Sequence, residues 1–348
     1  MVVAAIVTGS AGFIGSHLCD FLLKLDEVCM VVGIDNFCPY VGLSHPESTK
    51  IKMANQTEAM ANPKFQLIAK DILDVDLGLL ANQIRAQTTG DVDVIIYHLA
   101  ASAGVRPSIK DAKTYATNNV QVTTHLLEGA AKGNVTSVVL ASSSSVYGDR
   151  PVVACEKTGV KASGLRAFHE SDHTDLPISP YAATKKATEL MAYTFHVNHS
   201  LPVACMRLFS VYGPRQRPDL AIHKFMTRVK EGRAIDIYGD GSMERDFTFV
   251  LDVVKGLWEA GQVIPRMGYK VWNLGNSSPI KLLDLVKAIT KVTSLTEPPS
   301  LNFLPVPHGD VARTCADVSE AACDLGYRPS YSLDAGLAEE WAWISTDH

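Results

Sequence analysis

Residues 2–23 read VVAAIVTGSAGFIGSHLCDFLL, and this stretch decides the fold of the chain. The run Val2–Val7 is apolar at every position, which is typical of a strand buried on both faces in a parallel sheet. Three glycines follow between residues 9 and 15, and a helical apolar pattern begins at Phe13. The glycines allow a tight turn and a close approach to a pyrophosphate, which the N–H groups of the helix N-terminus would bind. This order predicts a dinucleotide site, although a glycine-rich turn that only packs a helix on a sheet would share the pattern.

Composition and charge narrow the class of protein. The chain has 348 residues, which is enough for one large domain or two coupled ones. Its net charge is −5, so it has no excess of basic residues for binding nucleic acid. No run of about 18 apolar residues is present, so no membrane span is predicted. The apolar run that leads straight into the glycine turn argues against a signal peptide. Seven scattered cysteines without a CxxC pair favour reduced thiols, no metal site and a cytoplasmic location.

Strand-like runs alternate with helical patterns through much of the chain. The predicted strands are Val2–Val7, Val28–Ile34, Phe65–Ala69, Val92–His98, Ser137–Ser142, Val203–Phe209 and Lys270–Leu274. Amphipathic helices fall between most of them, including Lys113–Lys132 and Tyr181–His199. Such alternation predicts an α/β fold with a doubly wound parallel sheet and a ligand outside the carboxyl ends of the strands.

An acidic residue ends the second predicted strand. Asp35, followed by Asn36, lies about 20 residues after the glycine turn, where a carboxylate accepts hydrogen bonds from the adenosine ribose and repels a 2′-phosphate. NAD is therefore favoured over NADP, and a turn-capping aspartate is the alternative. Asp71 and Ile72, after the third strand, are suitably placed for the adenine ring.

The fourth strand runs into the segment 98–106, HLAASAGVR. Its small residues would let the backbone pass close to a cofactor, as glycines do. Arg106 would then project a cation into the same cleft, and a surface arginine is the equal alternative.

The fifth strand ends in the segment 141–148, ASSSSVYG, and Tyr181 and Lys185 follow at the start of a predicted helix. Residues four apart share a helical face, so the lysine ammonium would stabilise the tyrosine phenolate. Together with an oxidised nicotinamide it would lower the tyrosine pKa from about 10 towards neutrality. A tyrosine tuned in this way can act as a general base and later return the proton.

Together these motifs resemble the extended short-chain dehydrogenase/reductase family, in its NAD-dependent sugar-nucleotide epimerase/dehydratase branch, over nearly the whole chain. The resemblance implies a Rossmann-type fold, NAD as cofactor, and Ser143, Tyr181 and Lys185 as catalytic residues. The cofactor contacts that it implies are Thr8, Gly9, Gly12, Phe13, Ile14, Gly15, Asp35, Asn36, Asp71, Ile72, Leu99, Ala100, Ala101, Asn118, Tyr181, Lys185 and Phe209.

The residues before Val146 bear on the branch of the family. Dehydratases of this family carry an Asp-Glu pair there and decarboxylases a Glu, whereas this chain has Ser144 and Ser145. No carboxylic acid then stands ready to eliminate water or protonate an enol. The resemblance therefore favours an epimerase.

The segment 207–219, RLFSVYGPRQRPD, resembles the UDP-glucuronate 4-epimerases, as does the stretch 103–106. By that match Ser210 and Arg217 would contact the carboxylate of the sugar. A guanidinium fork suits a planar carboxylate. A solvated basic loop is the alternative.

Further segments resemble a UDP-binding site. The match places Tyr238 against uracil, Arg245 on the diphosphate and Asp310 on the uridine ribose. The substrate contacts implied in all are Arg106, Ser143, Ser144, Ser145, Ser210, Arg217, Tyr238, Arg245 and Asp310.

Two departures from the family pattern stand out. Relatives often have Arg or Gln three residues before Asp310, where this chain has Pro307, which lacks a side-chain donor. The connection to Tyr181 is also longer than usual, and the segment Cys155–Ala167 is interpreted as a surface loop.

The expected function is therefore a UDP-glucuronate 4-epimerase that interconverts UDP-glucuronate and UDP-galacturonate through a 4-keto intermediate with bound NAD. An epimerase for UDP-glucose, a UDP-N-acetylhexosamine or a pentose, a UDP-glucuronate decarboxylase and a catalytically silent NAD-binding regulator remain alternatives. We expect an NAD-binding domain from residues 1–213 and 246–274 and a smaller C-terminal α/β UDP-sugar domain from 214–245 and 275–348. The family resemblance also implies a homodimer formed through the two helices named above.

Overall fold

Strands and helices alternate in the computed structural model, which describes residues 2–149, 166–295 and 297–346. The strands are β1 (Val2–Thr8), β2 (Val28–Ile34), β3 (Phe65–Ile68), β4 (Val92–His98), β5 (Ser137–Ser143), β6 (Val203–Leu208), β7 (Ser210–Tyr212), β8 (Ile235–Tyr238), β9 (Glu244–Phe249), β10 (Tyr269–Leu274), β11 (Pro279–Lys281) and β12 (Leu301–Leu304). The α-helices are α1 (Phe13–Leu22), α2 (His45–Asn55), α3 (Thr57–Met60), α4 (Leu77–Gln87), α5 (Val105–Lys110), α6 (Ala112–Tyr115), α7 (Val122–Lys132), α8 (Pro180–His199), α9 (Ala221–Lys230), α10 (Val250–Met267), α11 (Leu282–Val292), α12 (Ser319–Leu325) and α13 (Leu333–Ser345).

One parallel sheet contains all seven predicted strands. Its order is β3–β2–β1–β4–β5–β6–β10, so the order reverses between β1 and β4. In sheets of this kind the ligand crevice lies at that reversal, outside the carboxyl ends of the strands. The predicted doubly wound α/β sheet is confirmed, with each predicted strand within one residue of its observed bounds.

Both faces of the sheet are buried, as the unbroken apolar run of β1 indicates. Val3, Ala5 and Val7 pack with α1 and α10 on one face. Ala4 and Ile6 pack with α4 and α7 on the other. Because successive side chains of a strand point to opposite faces, a strand covered on both sides needs apolar residues at every position.

The remaining strands form two smaller sheets beyond the carboxyl ends of the main one. The first has the order β11–β9–β7, and the second pairs β12 with β8 in parallel. The strand β7 follows β6 after one residue, Phe209, which carries the chain directly from the main sheet into the three-stranded sheet.

The predicted helix Lys113–Lys132 is interrupted in the structure. α6 and α7 flank the π-helical segment Ala116–Gln121. A π turn inserts one residue into the helix and rotates the side chains around it, and such turns are frequent at functional sites. Periodicity alone did not reveal the interruption, because the apolar spacing on either side remains helical.

The glycine turn is packed too closely for any side chain at two positions. A Cβ atom on Gly15 would lie 2.1 Å from the carbonyl oxygen of Gly9. Gly9 has a φ of +68°, and its own Cβ would lie 2.8 Å from the amide nitrogen of Ala100. Both glycines are therefore required by the approach of backbone to backbone.

We predict that Gly15→Ala lowers the free energy of unfolding by about 1–3 kcal/mol, because the turn must shift to admit the methyl group. Urea denaturation measures the change. Gly232→Asn is the matched control, since Gly232 has a φ of +65° with open space around it, and asparagine tolerates the left-handed region. Equal stability of the two variants would contradict the packing argument.

Candidate active site

The turn between β1 and α1 presents free backbone N–H groups to the crevice. Gly12 is the N-cap of α1, with no side-chain cap and no acidic residue in the first turn. The Ser16 N–H donates to the Gly12 carbonyl (3.0 Å), so the N–H groups of residues 13–15 precede the intrahelical bonding. This uncapped positive end, beside the close-packed glycines, fits a dinucleotide pyrophosphate.

Asp35 lies at the end of β2, buried against the glycine turn. Its carboxylate accepts hydrogen bonds from the N–H groups of Ala11 (3.1 Å) and Phe37 (2.8 Å). It also pairs with the ammonium of Lys52 at 3.1 Å, and both side chains are nearly inaccessible. Lys52 was not predicted, because its position on α2 has no local signal that links it to Asp35.

Asn36 and Asp71 join the ends of β2 and β3. The Asn36 amide donates to Asp71 Oδ2 (2.8 Å), and Asp71 Oδ1 accepts from the Leu73 N–H (3.0 Å). Ile72 is buried beside them. These three predicted cofactor contacts, of which Asp71 and Ile72 were predicted for adenine, therefore lie together at the edge of the crevice.

The end of β4 is tied to β1 by a buried histidine. His98 Nδ1 lies 2.7 Å from Thr8 Oγ1, and His98 Nε2 lies 3.0 Å from Thr123 Oγ1. Burial, with a smaller effect from Lys185, lowers the pKa of His98 to about 3. The Thr8 hydroxyl also accepts from the Ala100 N–H (3.3 Å). Thr8 thus anchors the predicted cofactor-lining segment Leu99–Ala101 through its side chain.

The π turn directs two asparagines to the segment after β4. The Asn118 amide donates to Ser102 Oγ (2.9 Å). Asn119 accepts from the Ser102 N–H (2.8 Å) and donates to Thr184 Oγ1 on α8 (2.9 Å). Asn118 was predicted to position the nicotinamide half, whereas Asn119, which holds this segment to α8, was not predicted.

Ser143, Tyr181 and Lys185 converge at the carboxyl end of β5. Ser179 caps the N-terminus of α8 by accepting from the Ala182 N–H, which places Tyr181 in the first turn. The Lys185 ammonium donates to the Ala141 carbonyl (2.6 Å). Burial lowers the pKa of Lys185 to about 8.

Burial and neighbouring groups act in opposite directions on the pKa of Tyr181. Burial raises its pKa, because the phenolate loses hydration, and a hydrogen bond with Ser143 and the charge of Arg217 act against this rise. The Lys185 ammonium donates to a backbone carbonyl. The predicted lowering of the Tyr181 pKa depends on Lys185 together with an oxidised nicotinamide and stays a prediction.

The serine cluster is bonded internally. Ser143 Oγ accepts from both the Ser145 hydroxyl (2.7 Å) and the Ser145 N–H (3.2 Å). Ser144 begins the 3₁₀ turn that extends to Tyr147. Ser210, another predicted substrate contact, is the first residue of β7. The buried Phe209 just before it donates its N–H to the Leu274 carbonyl (3.1 Å).

A buried ion pair holds α8 against the sheet. Glu189 accepts from Arg207 Nε and Nη2, each at 2.9 Å, and from the Ser142 hydroxyl at 2.6 Å. The two charged side chains are each 3% exposed. The pair therefore connects the helix of Lys185 to β6 and to the residue before Ser143. Glu189 lies four residues after Lys185, and this spacing is a sequence signal for a shared helical face. No sequence signal identified Arg207 as the partner of Glu189.

The two arginines of the segment 213–219 have different partners. Arg215 has a φ of +65° and pairs with Asp20 on α1 at 2.6 Å. His17 Nε2 lies 2.8 Å from the Pro214 carbonyl, which fixes the same loop to α1. Arg217 instead approaches the segment after β4, where its Nη2 lies 3.4 Å from the Ala103 carbonyl. The sequence did not distinguish these two roles.

Arg217 is already paired with a carboxylate of the protein, that of Asp219. Its Nε and Nη2 donate to Asp219 at 2.9 and 2.7 Å, and Nη2 also approaches the Ala103 carbonyl at 3.4 Å. The Arg217 side chain is 14% exposed. The alternative of a solvated basic loop is therefore wrong for Arg217, while Asp219 is a neighbour that sequence reasoning missed.

A second group of predicted substrate contacts gathers around Tyr238. Arg106 Nη2 pairs with Asp310 at 2.6 Å, and the guanidinium carbon lies 4.1 Å from the Tyr238 ring centroid. Burial lowers the pKa of Arg245, and the charges of Asp310 and Arg106 also act on it. Arg106, which was predicted to lie either in the cleft or on the surface, thus contacts Tyr238 and Asp310, two of the predicted nucleotide-binding residues.

The two departures from the family pattern have different outcomes. The Pro307 carbonyl accepts from the Asp310 N–H at 3.4 Å, so this residue shapes the loop through its backbone. The predicted loop at residues 155–167 lies, for its first eleven residues, outside the described part of the chain.

The described residues include neither a membrane-spanning helix nor a cluster of metal ligands. No helix is both long and apolar enough to cross a membrane. No group of three or more His, Cys, Asp or Glu side chains is arranged to hold a metal ion within 2–149, 166–295 and 297–346.

Comparisons with known proteins agree with this geometry. A family model described as the NAD dependent epimerase/dehydratase family matches residues 5–275. A probable UDP-glucuronate 4-epimerase of Rhizobium meliloti is 34% identical over 99% of this chain and 97% of its own length. A UDP-glucuronate 4-epimerase of Thermodesulfobacterium geofontis is 33% identical over 97% of this chain and 95% of its own. The crystal structure of the UDP-glucuronic acid 4-epimerase of Bacillus cereus, in complex with UDP-glucuronic acid and NAD, superposes with a TM-score of 0.84 at 36% identity, covering 98% of each chain.

We predict that Glu189→Ala lowers the free energy of unfolding by about 3–5 kcal/mol, because it leaves the Arg207 charge buried without its carboxylate. Urea denaturation checks the value. Glu320→Ala is the matched control, since it removes the half-exposed partner of Lys270 and should cost about 1 kcal/mol or less. A loss no larger than the control's would show that the buried pair does not hold α8.

Proposed function

Because the chain belongs to the NAD-dependent epimerase/dehydratase family, we propose that it interconverts UDP-glucuronate and UDP-galacturonate with NAD as its cofactor. One observation carries the choice of reaction and sugar: Arg217 Nη2 lies 3.4 Å from the Ala103 carbonyl, which also accepts from the Tyr115 hydroxyl (2.9 Å), and the Tyr115 ring lies 6.1 Å from the ring of Tyr181. A base for the sugar hydroxyl and a cation for a carboxylate thus share one cleft. Full-length relatives that bear the name UDP-glucuronate 4-epimerase support the same assignment.

The catalytic residues divide the proton chemistry. Tyr181 takes the proton from the C4 hydroxyl and returns it when the alcohol re-forms. The Ser143 hydroxyl, which bonds to Tyr181, would hold the same oxygen. Lys185, held by the Ala141 carbonyl, adds positive charge near the base. When bound, NAD accepts the C4 hydride and returns it to the opposite face of the ketone.

An acid sugar makes a further demand on the site. Its 4-keto form is a β-keto acid, which loses carbon dioxide when the carboxylate stands orthogonal to the ketone. The hydroxyls of Ser144, Ser145 and Ser210 and the charge of Arg217 would restrain that group. Charge-assisted hydrogen bonds of this kind fix orientation as well as affinity.

The nucleotide half would be held at the second group of residues. Tyr238 offers an aromatic face for uracil, and Asp310 offers a carboxylate for the ribose. Arg106 and Arg245 supply positive charge for the diphosphate. Because both sugar faces must enter the same pocket, specificity would rest on the nucleotide and the carboxylate.

A 4-epimerase for a neutral UDP-sugar is the second candidate. Asp219 already occupies two donor groups of Arg217, which reduces the charge available to an acid sugar. An NMR time course with UDP-glucuronate and UDP-glucose separates the two candidates, and release of carbon dioxide would instead identify a decarboxylase.

Together with this function we propose a division into two domains, a homodimer and a cytoplasmic location. Residues 1–213 and 246–274 would bind NAD, and 214–245 and 275–348 the UDP-sugar.

A homodimer through α8 is supported by the exposed stripe of Leu190, Tyr193 and Val197, which have the spacing of one helical face. Sedimentation of the purified protein tests it. A cytoplasmic location agrees with the free thiols of the described cysteines.

We expect Tyr181→Phe to reduce epimerisation by about 10³-fold or more, since it removes the general base. NAD should remain bound, as measured by release of the nucleotide on denaturation. Tyr193→Phe, on the exposed face of the same helix, is the control and should retain activity. Substantial turnover by the Tyr181 variant would refute its role.

We expect Arg217→Ala to lower kcat/KM for UDP-glucuronate by about 30-fold or more, because a partly buried charge no longer meets the carboxylate. The loss with UDP-glucose should be smaller. Arg233→Ala is the control, since Arg233 is exposed and pairs with Glu231. Equal losses with both sugars would remove the carboxylate role of Arg217 while leaving the epimerase assignment in place.

A further inference from the structure

Arg217 and Asp219 form a two-point ion pair at the wall of the cleft. Each oxygen of the Asp219 carboxylate accepts one hydrogen bond, from Nε at 2.9 Å and from Nη2 at 2.7 Å. This is the geometry in which a guanidinium would also bind the carboxylate of an acid sugar. The side chain of Asp219 has no other hydrogen-bond partner among the described residues.

Little of the guanidinium remains free for a second carboxylate. The Nη2 group also approaches the Ala103 carbonyl at 3.4 Å. Only Nη1 lacks an acceptor within the described part of the chain. A substrate carboxylate can therefore bind Arg217 in one of two ways. It can bind one donor group while Asp219 stays paired, or it can bind both Nε and Nη2 after Asp219 has moved away.

The Asp219 carboxylate faces the same cleft as its partner. The Ala103 carbonyl, which Arg217 Nη2 approaches at 3.4 Å, also accepts from the Tyr115 hydroxyl at 2.9 Å. Burial raises the pKa of the phenols of Tyr40 and Tyr115, the positive charge of Arg217 acts against this rise, and the negative charge of Asp219 adds to it. The hydroxyl of Tyr40 is buried and has no hydrogen-bond partner among the residues that the structure describes. Both members of the ion pair thus act on the side chains that line this wall.

Several contacts that do not involve Asp219 hold this loop. Arg215 fixes the loop to Asp20, and the Gly213 N–H donates to Glu340 at 3.1 Å. The Gln216 amide donates to the Val211 carbonyl at 2.9 Å. The role of Asp219 is therefore directed at Arg217.

We propose that Asp219 determines specificity by competing with the substrate carboxylate for the guanidinium of Arg217. The proposal rests on the proposed function, because it needs an acid sugar in this cleft. A carboxylate that held the whole fork would fix the sugar in one orientation, since a bidentate pair defines geometry as well as energy. A 4-epimerase must present both faces of C4, so an internal competitor keeps the acid sugar free to turn over.

The test measures binding without turnover. NAD-loaded Tyr181→Phe protein, with and without Asp219→Asn, is titrated with UDP-glucuronate and with UDP-glucose by calorimetry. We expect Asp219→Asn to increase the preference for the acid sugar about tenfold, equivalent to roughly 1.4 kcal/mol. In the background with Tyr181 intact, kcat and KM for UDP-glucuronate should both fall, while those for UDP-glucose stay within about twofold.

A matched control separates this effect from a general change of charge. Glu231→Gln removes the acidic partner of Arg233, which has the same spacing of two residues but is exposed. It should change neither affinity by more than about twofold. Asp219→Ser provides a second uncharged variant that keeps a hydrogen-bond acceptor, and NAD content reports whether each variant is folded.

The outcomes are distinct. If removal of the Asp219 charge weakens acid-sugar binding, or changes both sugars equally, Asp219 only positions Arg217 and the proposal is overturned. If the protein with Tyr181 intact does not convert UDP-glucuronate in the NMR time course, the proposed substrate itself is wrong and the competition falls with it. A preference in the parent that rises in the variant, with a lower kcat for the acid sugar alone, supports the proposal.

Discussion

The buried pair of Glu189 and Arg207 is the interaction on which the geometry of the site depends. It joins α8 to β6 and, through Ser142, to the strand that ends in Ser143. Two charges with 3% of their side chains exposed hold this position only as a matched pair, because either charge alone would be buried without compensation. Tyr181 and Lys185 share this helix, so the pair sets their position relative to the serine.

The cleft contains charges that are already paired inside the protein. Lys52 is paired with Asp35, Arg106 with Asp310, and Arg217 with Asp219. Each pair includes a residue predicted to contact cofactor or substrate. A ligand that enters such a site exchanges partners with it, so selectivity depends on a difference between two hydrogen-bonded states.

The prediction of the fold was nearly complete because its signals are local. A strand that is buried on both faces must be apolar at every position, and β1 meets this requirement. The turn after it brings two backbone segments into close contact, which the glycine at position 15 allows. The helix predicted over Lys113–Lys132 was wrong in its middle, where the π turn at 116–121 carries Asn118 and Asn119, which contact Ser102. Those contacts join parts of the chain that no periodicity relates.

The sequence by itself determined the sheet, the glycine turn and the types of residue available for chemistry, because apolar spacing and short motifs depend on neighbours within a few positions. Tertiary structure alone decided which charges meet. Asp35 and Lys52 are 17 residues apart, and Arg106 and Asp310 are 204 apart. It also decided that Arg215 anchors the loop while Arg217 approaches the segment after β4, and that burial raises the pKa of Tyr181. The strength and direction of each of these interactions depend on distance and exclusion of water, which exist only after the chain has folded.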